Sequence, residues 1–373
     1  MRRVGVITMH YVRNYGSALQ AFATQKIIEK LGYECEIIDY TYPNKFQYER
    51  GRKHTTLSLK SKVARFLNLK PGHRKYNRVG TFLRKNLHLT RNYEDHDDLM
   101  ANPPSYDIYV TGSDQVWNPL HMYGDSVFFL KFAPEGSYKV AFSSSFALKS
   151  IPEQYVESYK AWLSEYRYIS VREKNGADII KSLIGRDVPV TLDPTLMLSS
   201  NDWISLLGRK RNPYKGKKYI LLYMLGYAFD PEPYIYEVVK ELQAKTGLDV
   251  YTLSPPPKDF FYNNLRDCSD VSPVGFIELF EYASYVVTSS FHGTAFAVNF
   301  GIPLYSIVNN DGKKEDDRQR TLLEMLGLQN CIVEKGTPMD TINPHYDIKT
   351  KDQALEYARR QSLEYISNAL KQE

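Results

Sequence analysis

Short apolar runs alternate with segments of helical periodicity along most of the chain. The helical segments are residues 18–31, 152–166, 174–184, 234–246, 275–283, 294–300 and 352–370. The apolar runs are residues 4–8, 35–40, 106–111, 139–143, 168–171, 188–192, 219–223, 249–253, 285–288 and 303–308. Apolar runs separated by helices are typical of parallel strands that are covered on both faces and joined by right-handed crossovers.

A polar stretch at residues 199–218 interrupts this alternation and predicts a domain boundary. A length of 373 residues also favours two domains over one core. The pattern therefore predicts an α/β protein with an N-terminal Rossmann-like domain at residues 1–198 and a C-terminal one at 199–373. We expect the two to face a central cleft, as in GT-B enzymes, with the amphipathic helix 352–370 packing across.

The positive charge is concentrated in one segment. The net charge is +5, yet residues 45–91 hold 14 Lys or Arg and a single acidic residue, Glu49, so the rest of the chain is net acidic. We predict a basic helical insertion there. Its apolar residues have helical spacing, which suits either a face that meets an anionic bilayer or a solvated basic lid over the cleft. These apolar residues are Leu57, Leu59, Val63, Phe66 and Leu67.

Several classes of protein are not indicated by the sequence. The apolar run after Met1 breaks at His10, and no apolar stretch approaches the roughly 20 residues of a membrane span. The three cysteines stand far apart, which fits a reducing compartment, so we expect a cytoplasmic protein, either free or at the inner face of the membrane. Neither a metal-ligand cluster nor a Walker or G-x-G-x-x-G loop occurs, so we expect no metal, no cofactor and no nucleic-acid partner.

Polar residues follow four of the predicted strands, where ligands gather in parallel sheets. These residues are Asn14, Tyr15, Gly16 and Ser17; Gly112, Ser113, Asp114 and Gln115; Arg172 and Glu173; and Ser289, Ser290, Phe291, His292 and Gly293. The last group is the most informative, because serines, a histidine and a glycine lead directly into a helix. Serine hydroxyls and free N–H groups there suit a phosphate, and His292 is a candidate acid or base. The alternative is a serine that caps the helix and a histidine that packs between the domains.

Arg172 ends a strand that the pattern predicts to be buried, so its charge requires a partner. That partner is either an internal acid, such as Glu173 or Asp193, or the carboxylate or phosphate of a ligand.

The loop after the 106–111 strand carries Asp114 and Trp117. Asp114 is a candidate to hold or deprotonate a sugar hydroxyl, and Trp117 is a candidate to stack on a pyranose. The alternatives are an Asp that caps a turn and a Trp that anchors the core.

Taken together, these segments resemble the polysaccharide pyruvyl transferase family. The resemblance covers most of the chain and rests on the order and spacing of the 14–17 loop and of VTGSDQVWNP, ISVRE, LDPTLML, TSSFHGTAFAVNFGIP and DDRQRTLLEMLGL. It implies a GT-B-like fold and a transferase that moves pyruvate from phosphoenolpyruvate onto two hydroxyls of a surface or exopolysaccharide precursor. A lipid-linked acceptor is one of the carriers that this leaves open, beside a nucleotide-linked one and a polymer. The rival interpretations are a GT-B glycosyltransferase that uses a nucleotide sugar, with Glu278 as its ribose-binding acid, and a non-catalytic polysaccharide-assembly protein.

The resemblance also implies roles for individual residues. Arg172 matches the family's donor-binding arginine and His292 its loop histidine, which we expect to be the general acid. Characterised relatives often have an Arg two residues before that histidine, where this chain has Ser290. A clamp on the donor's phosphate is then expected from Arg318 or Arg320, in the loop at residues 311–320. Asp114 is the candidate base for the acceptor.

Overall fold

Two parallel β-sheets flanked by helices make up the chain, which was analysed as a computed structural model. The structure describes residues 1–12, 14–51, 63–64, 66–208, 212–254, 264–310 and 317–371. The predicted helical positions Leu57 and Leu59, and residues 311–316 of the arginine-bearing loop, lie outside the described residues.

The first sheet has the strand order β2-β1-β3-β4-β5, with every pair parallel. Its strands are β1 (Arg3–Ile7), β2 (Glu34–Ile37), β3 (Ile108–Thr111), β4 (Lys139–Ser144) and β5 (Tyr168–Val171). The strand predicted at residues 188–192 is reduced to one bridge between Val171 and Val190. Pro189 lacks an N–H to donate, so the chain there cannot continue the ladder and turns instead toward Asp193.

The second sheet has the order β11-β10-β9-β6-β7-β8 and is also parallel. Its strands are β6 (Tyr219–Tyr223), β7 (Asp249–Thr252), β8 (Leu265–Asp267), β9 (Tyr285–Thr288), β10 (Leu304–Val308) and β11 (Ile332–Glu334). The two edge strands, β8 and β11, are absent from the predicted pattern. Each has three residues and carries charged side chains, so no apolar run marks it.

The seven helices that the periodicity predicts are present, two more lie in the predicted basic insertion, and five others are additional within the described part of the chain. In chain order they are α1 (Tyr15–Lys30), α2 (Lys45–Glu49), α3 (Pro71–Asn86), α4 (His96–Ala101), α5 (Pro119–Met122), α6 (Glu153–Leu163), α7 (Lys174–Ile184), α8 (Pro194–Met197), α9 (Ser200–Leu207), α10 (Tyr234–Thr246), α11 (Pro273–Tyr282), α12 (Phe291–Phe300), α13 (Arg318–Met325) and α14 (Ile348–Leu370). Within the described part of the chain, none of them is long and apolar enough to cross a membrane.

The two sheets share one continuous hydrophobic core. The largest buried cluster contains Val4 of the first sheet, Leu196 of α8 and Val286 of the second. Helix α14 returns from the second sheet to the first, where Tyr365 donates its hydroxyl hydrogen bond to the carbonyl oxygen of Ala141 at 2.8 Å. The predicted architecture, two Rossmann-like halves with the C-terminal helix packing across, is therefore confirmed.

Candidate active site between the two sheets

Arg172, at the end of β5, is held by two carboxylates inside the molecule. Its NH1 donates to Asp193 Oδ2 at 2.7 Å and its NH2 to Asp114 Oδ1 at 3.0 Å. The arginine side chain and that of Asp193 are fully buried. The sequence allowed either an internal acid or an anionic ligand group as the partner of Arg172, and the structure shows internal acids in that place.

Asp193 is fixed by further hydrogen bonds. Its Oδ1 accepts from the backbone N–H of Thr195 at 3.0 Å and from Thr195 Oγ1 at 2.7 Å. Ser113 Oγ lies 2.9 Å from Asp193 Oδ2 and 2.8 Å from the carbonyl oxygen of Ser143. The predicted role of Ser113 in binding substrate is wrong for this geometry, because its hydroxyl is fully buried and used internally.

Asp114 also acts as an internal counter-charge. It accepts from Ser17 Oγ at 2.7 Å and from the N–H of Gln115 at 2.9 Å, besides Arg172. Burial favours its neutral form, but the charges of Arg172 and His292 and the Ser17 bond outweigh this effect and lower its pKa to about 2. The hydrogen bonds from Arg172, Ser17 and Gln115 make Asp114 an internal counter-charge, and its role as a base for the acceptor stays a prediction.

His292 lies in the first turn of α12, at the seam between the halves. The helix is capped by Ser290, whose Oγ accepts from the N–H of Gly293 at 3.3 Å. His292 Nε2 lies 3.8 Å from Asp193 Oδ2, and among the described residues it has no hydrogen-bond partner. Burial lowers the pKa of the imidazole, so the unliganded site holds it neutral at physiological pH.

Two glycines allow this close packing. A Cβ at Gly16 would overlap the imidazole ring of His292, and one at Gly293 would overlap Thr288 Oγ1. Glycine is needed at both positions because a side chain comes close to the backbone there, the His292 ring at Gly16 and Thr288 at Gly293. Gly16 thus forms one wall of the pocket that holds His292.

Asn14 and Tyr15 join the halves instead of facing a ligand. Asn14 Oδ1 accepts from the N–H of Gly16 at 3.0 Å, which caps α1, and from the hydroxyl of Tyr223 at 3.1 Å. Tyr15 is buried and donates its hydroxyl hydrogen bond to the carbonyl oxygen of Ser269 at 3.0 Å. The structure contradicts a substrate-binding role for the Tyr15 hydroxyl, because this bond already uses it.

Two guanidinium groups lie over one aromatic ring next to His292. The Cζ of Arg172 is 4.5 Å from the centre of the Phe291 ring, and that of Arg318 is 5.8 Å away. Arg320 donates to Glu334 Oε1 at 2.8 Å. Arg318 lies beside Phe291, next to His292, which makes it the better placed of the two predicted phosphate ligands.

A cleft of about 190 Å³ opens between the halves at this point. Its lining includes Arg318, Arg320 and Ser289, whose hydroxyl bridges the N–H and carbonyl of Leu225 at 2.9 Å each. Gln115 Nε2 reaches across the cleft to the hydroxyl of Tyr227 at 3.0 Å. The cleft therefore brings residues of both halves together at the predicted donor site.

Trp117 does not face this cleft. It is fully buried, its Nε1 donates to the carbonyl oxygen of Phe128 at 3.1 Å, and its ring stacks on Phe129 at 5.7 Å. The predicted stacking on a sugar is therefore wrong, and the alternative of a core anchor is correct. Tyr227, 49% exposed, and Phe229 do line the cleft, and the sequence reasoning missed both.

Four of the nine buried side-chain polar atoms that lack a hydrogen-bond partner among the described residues belong to Arg172, His292 and two neighbours of the site. Within the described part of the chain, the buried atoms Ser145 Oγ, Arg172 Nε, Glu173 Oε2 and His292 Nε2 have no hydrogen-bond partner. Buried polar atoms are nearly always paired in folded proteins, so such a cluster indicates groups kept for a ligand or bound water. The described residues offer no group of three or more His, Cys, Asp or Glu suited to a metal ion.

Glu173 is a titratable group that the sequence reasoning treated only as a partner for Arg172. Its Oε1 accepts from the N–H groups of Phe146 and Ala147 at 2.8 and 3.1 Å. Burial raises its pKa to about 7, although the charge of Arg172 opposes the rise. A carboxyl with this pKa can exchange a proton near neutral pH.

We expect Glu173→Gln to stabilise the protein progressively as the pH rises. The raised pKa means that the folded state favours the protonated carboxyl. The stability from this preference is fully present below the pKa of the unfolded state, about 4.5, and is lost as the pH rises through about 7. The glutamine stays neutral, so its advantage in unfolding free energy should grow from near zero at pH 5 to about 1–3 kcal/mol at pH 8. Denaturant unfolding at both pH values measures it, with the exposed Glu157→Gln as control. An advantage independent of pH would contradict the raised pKa.

The fold is an α/β fold of the GT-B type. Among solved structures, S. aureus MnaA in complex with UDP has a TM-score of 0.51 and 11% identity, covering 97% of each chain. A putative UDP-N-acetylglucosamine 2-epimerase from Listeria monocytogenes has a TM-score of 0.50 and 10% identity, covering 98% of this chain and 90% of its own. At such identities the likeness establishes the fold alone. None of the curated proteins matches the chain significantly.

The family follows from the sequence. Residues 14–311 match the family model described as polysaccharide pyruvyl transferase, a span that includes Arg172, Asp193 and His292. The chain belongs to the polysaccharide pyruvyl transferase family and is accordingly a transferase.

Proposed function

We propose that this enzyme transfers pyruvate from phosphoenolpyruvate onto two hydroxyls of a sugar in a surface or exopolysaccharide precursor, forming a ketal. The observation that carries the proposal is the buried, unpartnered Nε2 of His292, which lies 3.8 Å from Asp193 Oδ2 within the matched family segment. A neutral imidazole held there can take part in proton transfer once an anionic donor enters.

The donor's negative charges are matched by groups of the second half and by Arg172. Helix α12 begins at the cleft, so its N-terminal N–H groups and dipole favour a phosphate. Arg318 supplies the full positive charge beside it. Arg172 keeps one N–H, Nε, for the donor, because its terminal nitrogens are bound to Asp114 and Asp193.

Binding of the donor changes the protonation of His292. Burial disfavours the imidazolium in the empty site, whereas a phosphate and a carboxylate close by stabilise it. Asp193, 3.8 Å from Nε2, adds a negative charge that favours the same form. The occupied site therefore prepares His292 as a proton donor.

The proposed reaction balances without a further reactant. His292 protonates C3 of phosphoenolpyruvate, and the first sugar hydroxyl attacks the cationic C2 and returns its proton to the imidazole. The bond between C2 and the phosphate oxygen then breaks, the second hydroxyl attacks C2, and its proton leaves with the phosphate as hydrogen phosphate. Fixed N–H groups and Arg318 stabilise the charge that develops on the departing phosphate.

The nucleotide-sugar alternative requires an acid that holds the ribose. Glu278, its candidate, is 1% exposed in the middle of α11, and so it is not available to a ligand in the cleft. This burial favours phosphoenolpyruvate over a nucleotide sugar.

We expect phosphoenolpyruvate to raise the melting temperature of the purified protein. A ligand at 100 times its dissociation constant stabilises a folded protein by about 2.7 kcal/mol. Thermal shift with phosphoenolpyruvate, inorganic phosphate and a panel of UDP-sugars measures the preference, and phosphate release in the presence of acceptor sugars measures turnover. A larger shift with any UDP-sugar than with phosphoenolpyruvate would favour the glycosyltransferase, while no shift with either would favour the non-catalytic protein.

A further inference from the structure

The segment that precedes α3 exposes apolar side chains beside a row of cations. Phe66, Leu67 and Leu69 are 82%, 57% and 65% exposed, and Val63 is about half exposed. Lys70 follows immediately, and Arg84 and Lys85 are exposed near the end of α3. We call these seven residues the basic-apolar patch.

The patch is held on a defined frame. His73 Nδ1 lies 3.0 Å from the carbonyl oxygen of Ala64, and Asn77 Nδ2 donates to Asn68 Oδ1 at 2.7 Å. Both bonds hold the segment before α3, of which residues 63, 64 and 66–69 are described, against the first turns of α3, so its exposed apolar side chains have a defined position.

A cationic groove of about 430 Å³ lies beside the patch, between α3 and α11. Arg74, Arg78 and Lys85 line it together with Asn77 and Ser272. Asp270 pairs with both Arg74 and Arg78, so it balances one of these charges and the groove keeps a net positive charge.

We infer that the basic-apolar patch docks the enzyme on an anionic phospholipid surface. Exposed Phe and Leu side chains can enter the interface between headgroups and acyl chains, while adjacent lysines and arginines are attracted to anionic lipids. Two copies of the patch facing each other would bring like charges together, which disfavours a symmetric dimer through this surface. A polyanion such as a nucleic acid would match the cations but not the three exposed apolar side chains.

Helix α3 connects the patch to the active site. Lys75 of α3 has its Nζ 4.1 Å from the centre of the Tyr15 ring, and Tyr15 precedes Gly16, which packs against His292. A membrane bound at the patch therefore lies one helix away from the site. The inference concerns the place where the enzyme acts, in addition to the chemistry proposed above.

The test is flotation of the full chain with vesicles of phosphatidylcholine alone or with 30% phosphatidylglycerol, a proportion of about one lipid in three. We expect recovery with the anionic vesicles to be at least about tenfold higher and to be lost at high salt. The triple variant F66S/L67S/L69S and the variant K70Q/R84Q/K85Q should each lower it about tenfold or more. Y357S/L363S, which removes exposed apolar side chains from α14, is the matched control and should float like the wild type.

Three outcomes would overturn the inference. They are equal recovery with both kinds of vesicle, no recovery with either, and loss of binding in the α14 control to the same degree. Circular dichroism and melting temperature of each variant establish that it is folded, and light scattering would reveal a shift in oligomeric state if the patch served a second copy instead. None of these measurements uses phosphoenolpyruvate, so failure here leaves the proposed function untouched.

Discussion

Replacing His292 with Asn is expected to lower kcat by roughly 10² or more while the affinity for phosphoenolpyruvate stays near that of the wild type. In the proposed mechanism the imidazole transfers a proton in the transition state, whereas Arg318 and the start of α12 hold the donor's charges throughout. Asparagine is smaller than histidine, so it fits against Gly16 without displacing the backbone. The melting temperature should accordingly change little.

The variant is characterised by kcat, by the dissociation constant for phosphoenolpyruvate and by thermal unfolding. His345→Asn, an exposed histidine near the C-terminal end of the second half, is the matched control and should keep the wild-type rate. A saturated His292→Asn enzyme that runs near the wild-type rate would eliminate the proton-transfer role. A fall in donor affinity alone would assign His292 to phosphate binding.

Much of the fold was predictable because its central elements carry strong patterns. Strand Tyr285–Thr288 and helix Tyr234–Thr246 begin and end where the sequence pattern places them. The first is an apolar run buried in the middle of a sheet, and the second shows a clear helical period that ends at Gly247. The edge strand Leu265–Asp267 has neither feature, since two of its three residues are charged and exposed.

The position of the site was predictable for the same reason, and Asp193 was among the predicted partners of Arg172, but the choice among the acids and the part played by Asp114 were not predictable. A strand that leads through Ser290 and His292 into a helix places these residues at the carboxyl edge of a sheet. The partners of Arg172, however, are 58 and 21 residues away in the chain, and only the folded arrangement of β3, β5 and α8 determines that Asp114 and Asp193 meet it. Similarly, no periodicity distinguishes an aromatic loop residue that turns inward, Trp117, from one that faces the cleft, Tyr227.

Replacing Arg172 with Met is expected to destabilise the fold by roughly 3–5 kcal/mol, because it leaves two buried carboxylates without their counter-charge. Burial favours the neutral form of Asp193, but the charges of His292 and Arg172 keep its pKa below its usual range, and Arg172 acts likewise on Asp114. Stability from such lowered pKa values is present above the unfolded value of about 4 and is lost as the pH falls through the folded value. Without the guanidinium both carboxyls take up protons more readily, so the loss should be larger at pH 8 than at pH 5.

Denaturant unfolding of Arg172→Met at both pH values measures this effect, with Arg320→Met as the matched control. Arg320 pairs with Glu334, whose side chain is half exposed, so its loss should cost less than about 1 kcal/mol. The double variant R172M/D193N should recover part of the stability, because it removes one of the uncompensated charges together with the arginine. The competing account makes Arg172 chiefly a ligand of the donor. In that case Arg172→Lys would raise KM for phosphoenolpyruvate, and Arg172→Met would unfold at the same denaturant concentration as the wild type. The main role of Arg172 would then not be to balance the charges of Asp114 and Asp193.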